Sequence, residues 1–144
     1  MIVTRTVDGN INTYWRVLMQ GLRNDIDMSN PNHVKFEDIG VGYSYTKKMG
    51  NRLGQRGDVL VTITALKEND EYAAEFHSVQ GTNTLSYKLD PVDDNSFTVT
   101  YTEGFSSEKR FNDWNFKIVS FLYNRGSKKR ANSILDRVEE EMEE

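Results

Sequence analysis

The sequence contains no cysteine. That excludes a disulfide framework, thiol catalysis and a thiolate metal site. It has two prolines and no low-complexity tract, so its 144 residues are expected to be ordered except at the ends. No apolar run approaches the roughly 18–20 residues of a membrane-spanning helix. The opening residues Met1 to Asp8 lack a long apolar core and a small-residue cleavage site. No targeting segment is expected, and the cytoplasm is the default compartment. Basic residues are not in excess either. The net charge is −4 and the sequence pI about 5.3, without the electrostatic footprint of a nucleic-acid binder. A basic cluster, Lys128-Lys129-Arg130 with Arg125, has no interleaved aromatics. It reads as a solvated helix face balanced by Asp136, Glu139 and Glu140.

Catalytic signatures are scarce too. The two histidines, His33 and His77, have no metal-ligand partner at useful spacing and read as structural or solvent-facing. The serines have no nucleophile-elbow context. Gly50, Gly54 and Gly57 lack the Gly-Lys-Ser/Thr ending of a phosphate loop, which leaves a wide hairpin turn. Asp93-Asp94 falls in a turn, where Asp is common for backbone reasons. The expectation is therefore no metal, no cofactor and no nucleophile–base pair.

What is present is a change of hydrophobic period. Ile2 to Val7 is a β-branched opening strand. Asp8-Gly9-Asn10 is a turn with helix-capping chemistry. Ile11, Tyr14, Trp15, Leu18, Met19, Leu22 and Ile26 then form an amphipathic helical stripe. After an Asn-rich loop with Pro31, Val34 to Val41 reads as a short strand or an irregular crossing. The period then becomes 2. Strands are expected at Tyr43–Met49, Asp58–Leu66, Glu71–Val79, Thr82–Leu89 and Ser96–Phe105, with Asp90–Asn95 as a turn. Short connections make these consecutive antiparallel hairpins. Phe97, Val99, Tyr101, Glu103 and Phe105 share one side, and Thr98, Thr100 and Thr102 the other. From about Lys109 the helical period returns, with stripes Phe111, Trp114, Ile118, Phe121, Leu122 and then Ala131, Ile134, Leu135, Val138, Met142. Gly126 lies between them, so this is either one long helix or two.

The order strand, helix, meander, helix implies one α+β domain over residues 1–144. A one-sided apolar sheet of about six strands must bury that face, and the two helices carry the available apolar stripes. A strongly twisted sheet curls around a long helix and can leave a ligand space between them.

This arrangement resembles the helix-grip fold of the START and Bet v 1-like (SRPBCC) superfamily over essentially the whole chain. More narrowly, it resembles an uncharacterised family of that superfamily from Gram-positive bacteria. The residues that carry this are NTYWRVL at Asn12–Leu18, YSYTKKMGNRLGQRGDVLVTI at Tyr43–Ile63 and KKRANSILDRVEEEM at Lys128–Met142. The resemblance implies a curved antiparallel sheet on a long C-terminal helix, with a shorter helix after the first strand. That superfamily includes lipid carriers, hormone receptors, aromatic cyclases and chaperone-activating domains, so fold leaves function open.

Parity places unusual groups on the covered face. Glu103 lies with Tyr101 and Phe105, and a carboxylate there must be paired, hydrated or protonated. Lys47 lies in phase with Tyr43, Tyr45 and Met49, and Asn83 with Leu85 and Tyr87. The plainer alternative puts Glu103 and Lys47 at strand ends that reach water. Tyr43, Tyr45, Tyr72, Tyr87 and Tyr101 either line a cavity or fill the core with hydroxyls at its rim. Trp15 and Trp114 have core spacing. The candidate ligand-binding set is Tyr45, Lys47, Tyr72, Tyr87, Tyr101, Glu103, Trp114 and Ile118. The favoured function is binding of a small hydrophobic or amphipathic molecule between sheet and C-terminal helix. Two alternatives differ in kind. Cyclase-like or hydrolase-like catalysis needs polar side chains such as Tyr45, Lys47 or Glu103 to converge on one cavity. A protein-interaction module needs no cavity. Oligomeric state is not legible.

Overall fold

The computed structural model describes residues 1–30, 32, 34–50, 56–106 and 113–143; at 50, 56 and 113–127 it describes the backbone alone. The first strand, β1 (Ile2–Asp8), hands over to helix α1 (Ile11–Ser29) through Gly9 and Asn10. Gly9 sits at φ +144°, where a side chain would be strained, and its N–H donates to Asn95 O at 2.7 Å. Asn10 caps α1 by accepting from the Asn12 N–H at 2.8 Å. The buried residues of α1 are Tyr14, Trp15, Val17, Leu18, Met19, Leu22 and Ile26, the expected stripe with Val17 added and Ile11 only partly buried at the helix start.

Five strands follow, β2 (Ser44–Gly50), β3 (Arg56–Lys67), β4 (Glu71–Ser78), β5 (Gly81–Asp93) and β6 (Ser96–Ser106). They form a curved six-stranded sheet in the order β1-β6-β5-β4-β3-β2, antiparallel at every pairing. Strand β5 outruns its expected bounds the furthest. The residues read as the turn Asp90–Asn95 continue β5 as far as Asp93, leaving Asp94 and Asn95 as the turn. Proline is tolerated there because β4 has ended. Its last partner on β5 is Lys88, so Pro91 faces only β6, where a register shift separates it from Asp93. Residues 34–41 are not a strand. They carry a 3-10 turn at Phe36–Asp38, anchored by buried Ile39.

The C-terminal segment is one helix, α2 (Asp113–Met142), which runs through Gly126 unbroken. One glycine costs a helix about 1 kcal/mol and does not end it. Its last four turns bury Ala131, Leu135 and Val138. The core joins both helices to the inward sheet residues Val61, Ile63, Leu89, Phe97, Val99 and Tyr101. Full burial of each such side chain contributes about 1.5–3 kcal/mol. Leu135, 1% exposed, is a residue whose truncation to Ala should cost about 2–5 kcal/mol. Phe105 departs from the parity reading, being 46% exposed at the end of β6.

Candidate functional site

Cross-strand register, rather than sequence proximity, assembles the site. Tyr72 on β4 faces Tyr87 on β5, which faces Tyr101 on β6. Their rings make a continuous row across three strands. Tyr72 and Tyr87 stack at 6.1 Å between centroids, and Tyr87 and Tyr101 meet edge to face at 5.0 Å. All three are buried.

A polar station flanks this row on each side. On β2, Tyr45 Oη donates to Asp25 Oδ2 and Lys47 Nζ to Asp25 Oδ1, both at 2.7 Å. On β6, Tyr101 Oη donates to Glu103 Oε1 at 2.7 Å, and Arg130 of α2 donates to Glu103 Oε2 at 3.0 Å. Each station joins a tyrosine, a carboxylate and a cation, and each ties a helix to a strand. Three strands lie between β2 and β6, so the stations are about 19 Å apart along the sheet at the usual interstrand spacing.

The tyrosines are held neutral. Burial, then the hydrogen bond to Asp25, pushes the Tyr45 hydroxyl far above the usual phenol range. Burial, then the bond to Glu103, does the same to Tyr101. Burial also raises Tyr72 and Tyr87, reinforced by Asp25 for the first and by Tyr72 and Glu103 for the second. Such groups are hydrogen-bonding hydroxyls on apolar rings and do not serve as bases near neutral pH.

Lys47 is paired, and so is Glu103, whose side chain is only 12% exposed and therefore points inward as parity predicted. Tyr45 and Lys47 meet at one flank and Glu103 stands at the other, so the three do not converge on one point. Asn83 is exposed. The side chains of Trp114 and Ile118 lie outside the described residues, as does His33. His77 is on the outer face, bonded to Thr82 Oγ1 at 3.0 Å and 3.1 Å from Glu75 Oε2. No group of three or more potential metal ligands occurs among the described residues.

Sequence reasoning missed Asp25 and Arg130. Asp25 follows Leu18 by seven and Leu22 by three, which puts an acid at the border of the apolar stripe. The cluster Lys128-Lys129-Arg130 is exposed as expected, but the acids expected to balance it, Asp136, Glu139 and Glu140, are not the ones that bind Arg130. Arg130 serves Glu103, and Asp136 and Glu139 instead bind Arg5 of β1 at 2.7 and 3.2 Å. Arg5 shares the covered side with Val3 and Val7, and a cation there has to find acids.

Two clefts open away from the tyrosine row. One of about 260 Å³ lies against Thr6, Val7, Asp8, Glu139 and Met142. The other, about 470 Å³, lies outside α1. Among the described residues no helix is long and apolar enough to cross a membrane.

No curated protein matches the chain significantly. Solved structures match it throughout. A protein of unknown function, SA2116 from Staphylococcus aureus, has a TM-score of 0.64 at 11% identity, covering 99% of this chain and 94% of that one. The ZhuI aromatase/cyclase from Streptomyces sp. R1128 has 0.62 at 16% identity, covering 96% and 92%. Ara h 8.0201 has 0.56 at 12% identity, covering 99% and 97%. Identities this low show the fold alone, and that fold is the Bet v 1-like helix grip. Sequence defines the kinship more narrowly: the model of the family described as "Domain of unknown function (DUF3284)" matches residues 1–124, and the chain belongs to that family.

Proposed function

We propose that the protein binds a small hydrophobic or amphipathic molecule between the sheet and α2. The observation that carries this reading is the Tyr72–Tyr87–Tyr101 row with a hydrogen-bonded polar station on either side. Stacked tyrosines offer apolar area together with hydroxyls, the combination an amphipathic ligand requires. The fold it shares with a protein named as an aromatase/cyclase supports the same reading. We further read residues 1–144 as one domain of a protein from a Gram-positive bacterium, on the resemblance carried by Asn12–Leu18, Tyr43–Ile63 and Lys128–Met142.

Native mass spectrometry of freshly purified protein tests this, together with titration by the fluorescent probe 1-anilinonaphthalene-8-sulfonate. The expected results are a co-purifying small molecule, or saturable probe binding that Tyr87→Ala weakens while Tyr43→Ala does not. A ligand-free mass together with no saturable probe binding would overturn the proposal.

A further inference from the structure

The cleft outside α1 has a composition of its own. Its apolar lining is Trp15 and Met19 of α1, Phe36 of the 3-10 turn and Leu66 at the end of β3. Trp15 and Met19 are buried, whereas Phe36 is 46% exposed. Phe36 is thus an aromatic wall left half in water on a short turn. The cleft's volume, about 470 Å³, falls in the lower part of the range for small-molecule sites.

Two opposite charges line the same cleft, Arg16 on α1 and Glu68 in the turn after β3. Both are exposed. Neither forms an ion pair among the described residues, with the other or with a third group. Arg5, Lys47 and Arg130 by contrast each meet a carboxylate. A cation and an anion that share a cleft while standing apart define a gap with a positive and a negative side. Guanidinium is suited to a carboxylate, with two parallel donors, and a carboxylate to an ammonium.

We propose that this cleft binds a free α-amino acid with an apolar or aromatic side chain. Its carboxylate lies on Arg16 and its ammonium on Glu68. Its side chain rests against Trp15, Met19, Phe36 and Leu66. A simple fatty acid would leave Glu68 unanswered, and an amine would leave Arg16 unanswered; the zwitterion satisfies both. The site is separate from the tyrosine row and requires nothing to be bound there.

The test is titration of the intact protein with L-phenylalanine, followed by the indole N–H resonance of Trp15 in a nitrogen–proton correlation spectrum. Trp15→Phe identifies that resonance against the one from Trp114. Two truncated probes accompany it, 3-phenylpropionate, which lacks the ammonium, and phenethylamine, which lacks the carboxylate. Saturable movement of the Trp15 signal is expected with L-phenylalanine. Each truncated probe should bind about fivefold more weakly or worse, the scale of one solvent-exposed charge contact. Arg16→Gln should weaken L-phenylalanine and 3-phenylpropionate and spare phenethylamine. Glu68→Gln should do the converse. Both residues are exposed, so neither change threatens the fold. Failure of L-phenylalanine to saturate by about 10 mM would overturn the proposal, and so would binding indifferent to both substitutions. The probe titration of the tyrosine row reports separately, so the two sites fail or stand independently.

Discussion

Lys47 Nζ lies 2.7 Å from Asp25 Oδ1, so a cation on edge strand β2 is tied to the last turns of α1. Tyr45 shares the same carboxylate through its other oxygen. Removing Asp25 therefore strands two groups at once. Asp25→Ala should cost about 2 kcal/mol, the lower part of the range for charge-assisted bonds, because the ion pair is partly solvated. Lys47→Met should cost less, about 1 kcal/mol, since Tyr45 keeps its acceptor. Urea denaturation of both variants checks the order. A loss under about 0.5 kcal/mol for Asp25→Ala would show the contact to be an ordinary surface pair.

Tyr14 raises the opposite case. It is fully buried, edge to face with Phe97 at 5.2 Å, and its hydroxyl has no hydrogen-bond partner among the described residues. A buried donor without an acceptor costs about 1–3 kcal/mol. Tyr14→Phe keeps the ring and deletes that cost, so the variant should be more stable by about 1 kcal/mol. The midpoint of urea unfolding should rise with an unchanged slope. A fall would mean that the hydroxyl is satisfied by an internal water.

Five of the chain's seven tyrosines are shifted upward, namely Tyr14, Tyr45, Tyr72, Tyr87 and Tyr101, in each case chiefly by burial. Above the ordinary phenol pKa of about 10 the unfolded chain loses these protons while the folded chain keeps them. The unfolded state then binds fewer protons, and stability falls as pH rises. The stability linked to these groups is complete below about pH 10 and is lost through the alkaline range above it. Tyrosinate absorbance should show most of the ionisation arriving together with loss of the near-ultraviolet circular dichroism. Smooth titration of all seven around pH 10 in still-folded protein would contradict the burial of the row.

The strands, the helices and the sidedness of the sheet were legible because period alone encodes them. Thr98, Thr100 and Thr102 against Phe97, Val99 and Tyr101 needed no tertiary knowledge. The inward placement of Glu103 and Lys47 followed from the same parity. Their partners did not. Asp25 and Arg130 come from helices whose rotation against the sheet is set by packing, and no local pattern states it. The turn at residues 90–95 was misread for a related reason. Pro91 breaks a strand only if its missing donor faces a neighbour, and whether β4 reaches that far is a question of register. Gly126 left one helix or two undecided, because propensity is outweighed by what the helix packs on.

Arg5 is the clearest test of how α2 is held. Its Nη1 lies 2.7 Å from Asp136 Oδ1 and 3.2 Å from Glu139 Oε2, and its Nη2 donates to Asn132 O at 3.1 Å and Asn132 Oδ1 at 2.9 Å. One guanidinium thus reaches three residues spread over two turns of helix, from the strand that begins the chain. Its side chain is 21% exposed, against 59% for Asp136 and 34% for Glu139, so solvent screens part of each contact. Arg5→Met retains the aliphatic stem and removes all four bonds. The expected loss is about 2 kcal/mol, because several bonds share one cation while the acids keep access to water. The effect should be local first. Amide hydrogen exchange should accelerate across residues 128–142 before it changes in β4 and β5, since a helix end released from its tether opens without the whole sheet. Uniform acceleration throughout the chain would show that Arg5 supports the entire fold. Unchanged exchange in the last four turns would show that Ala131, Leu135 and Val138 hold the helix without it.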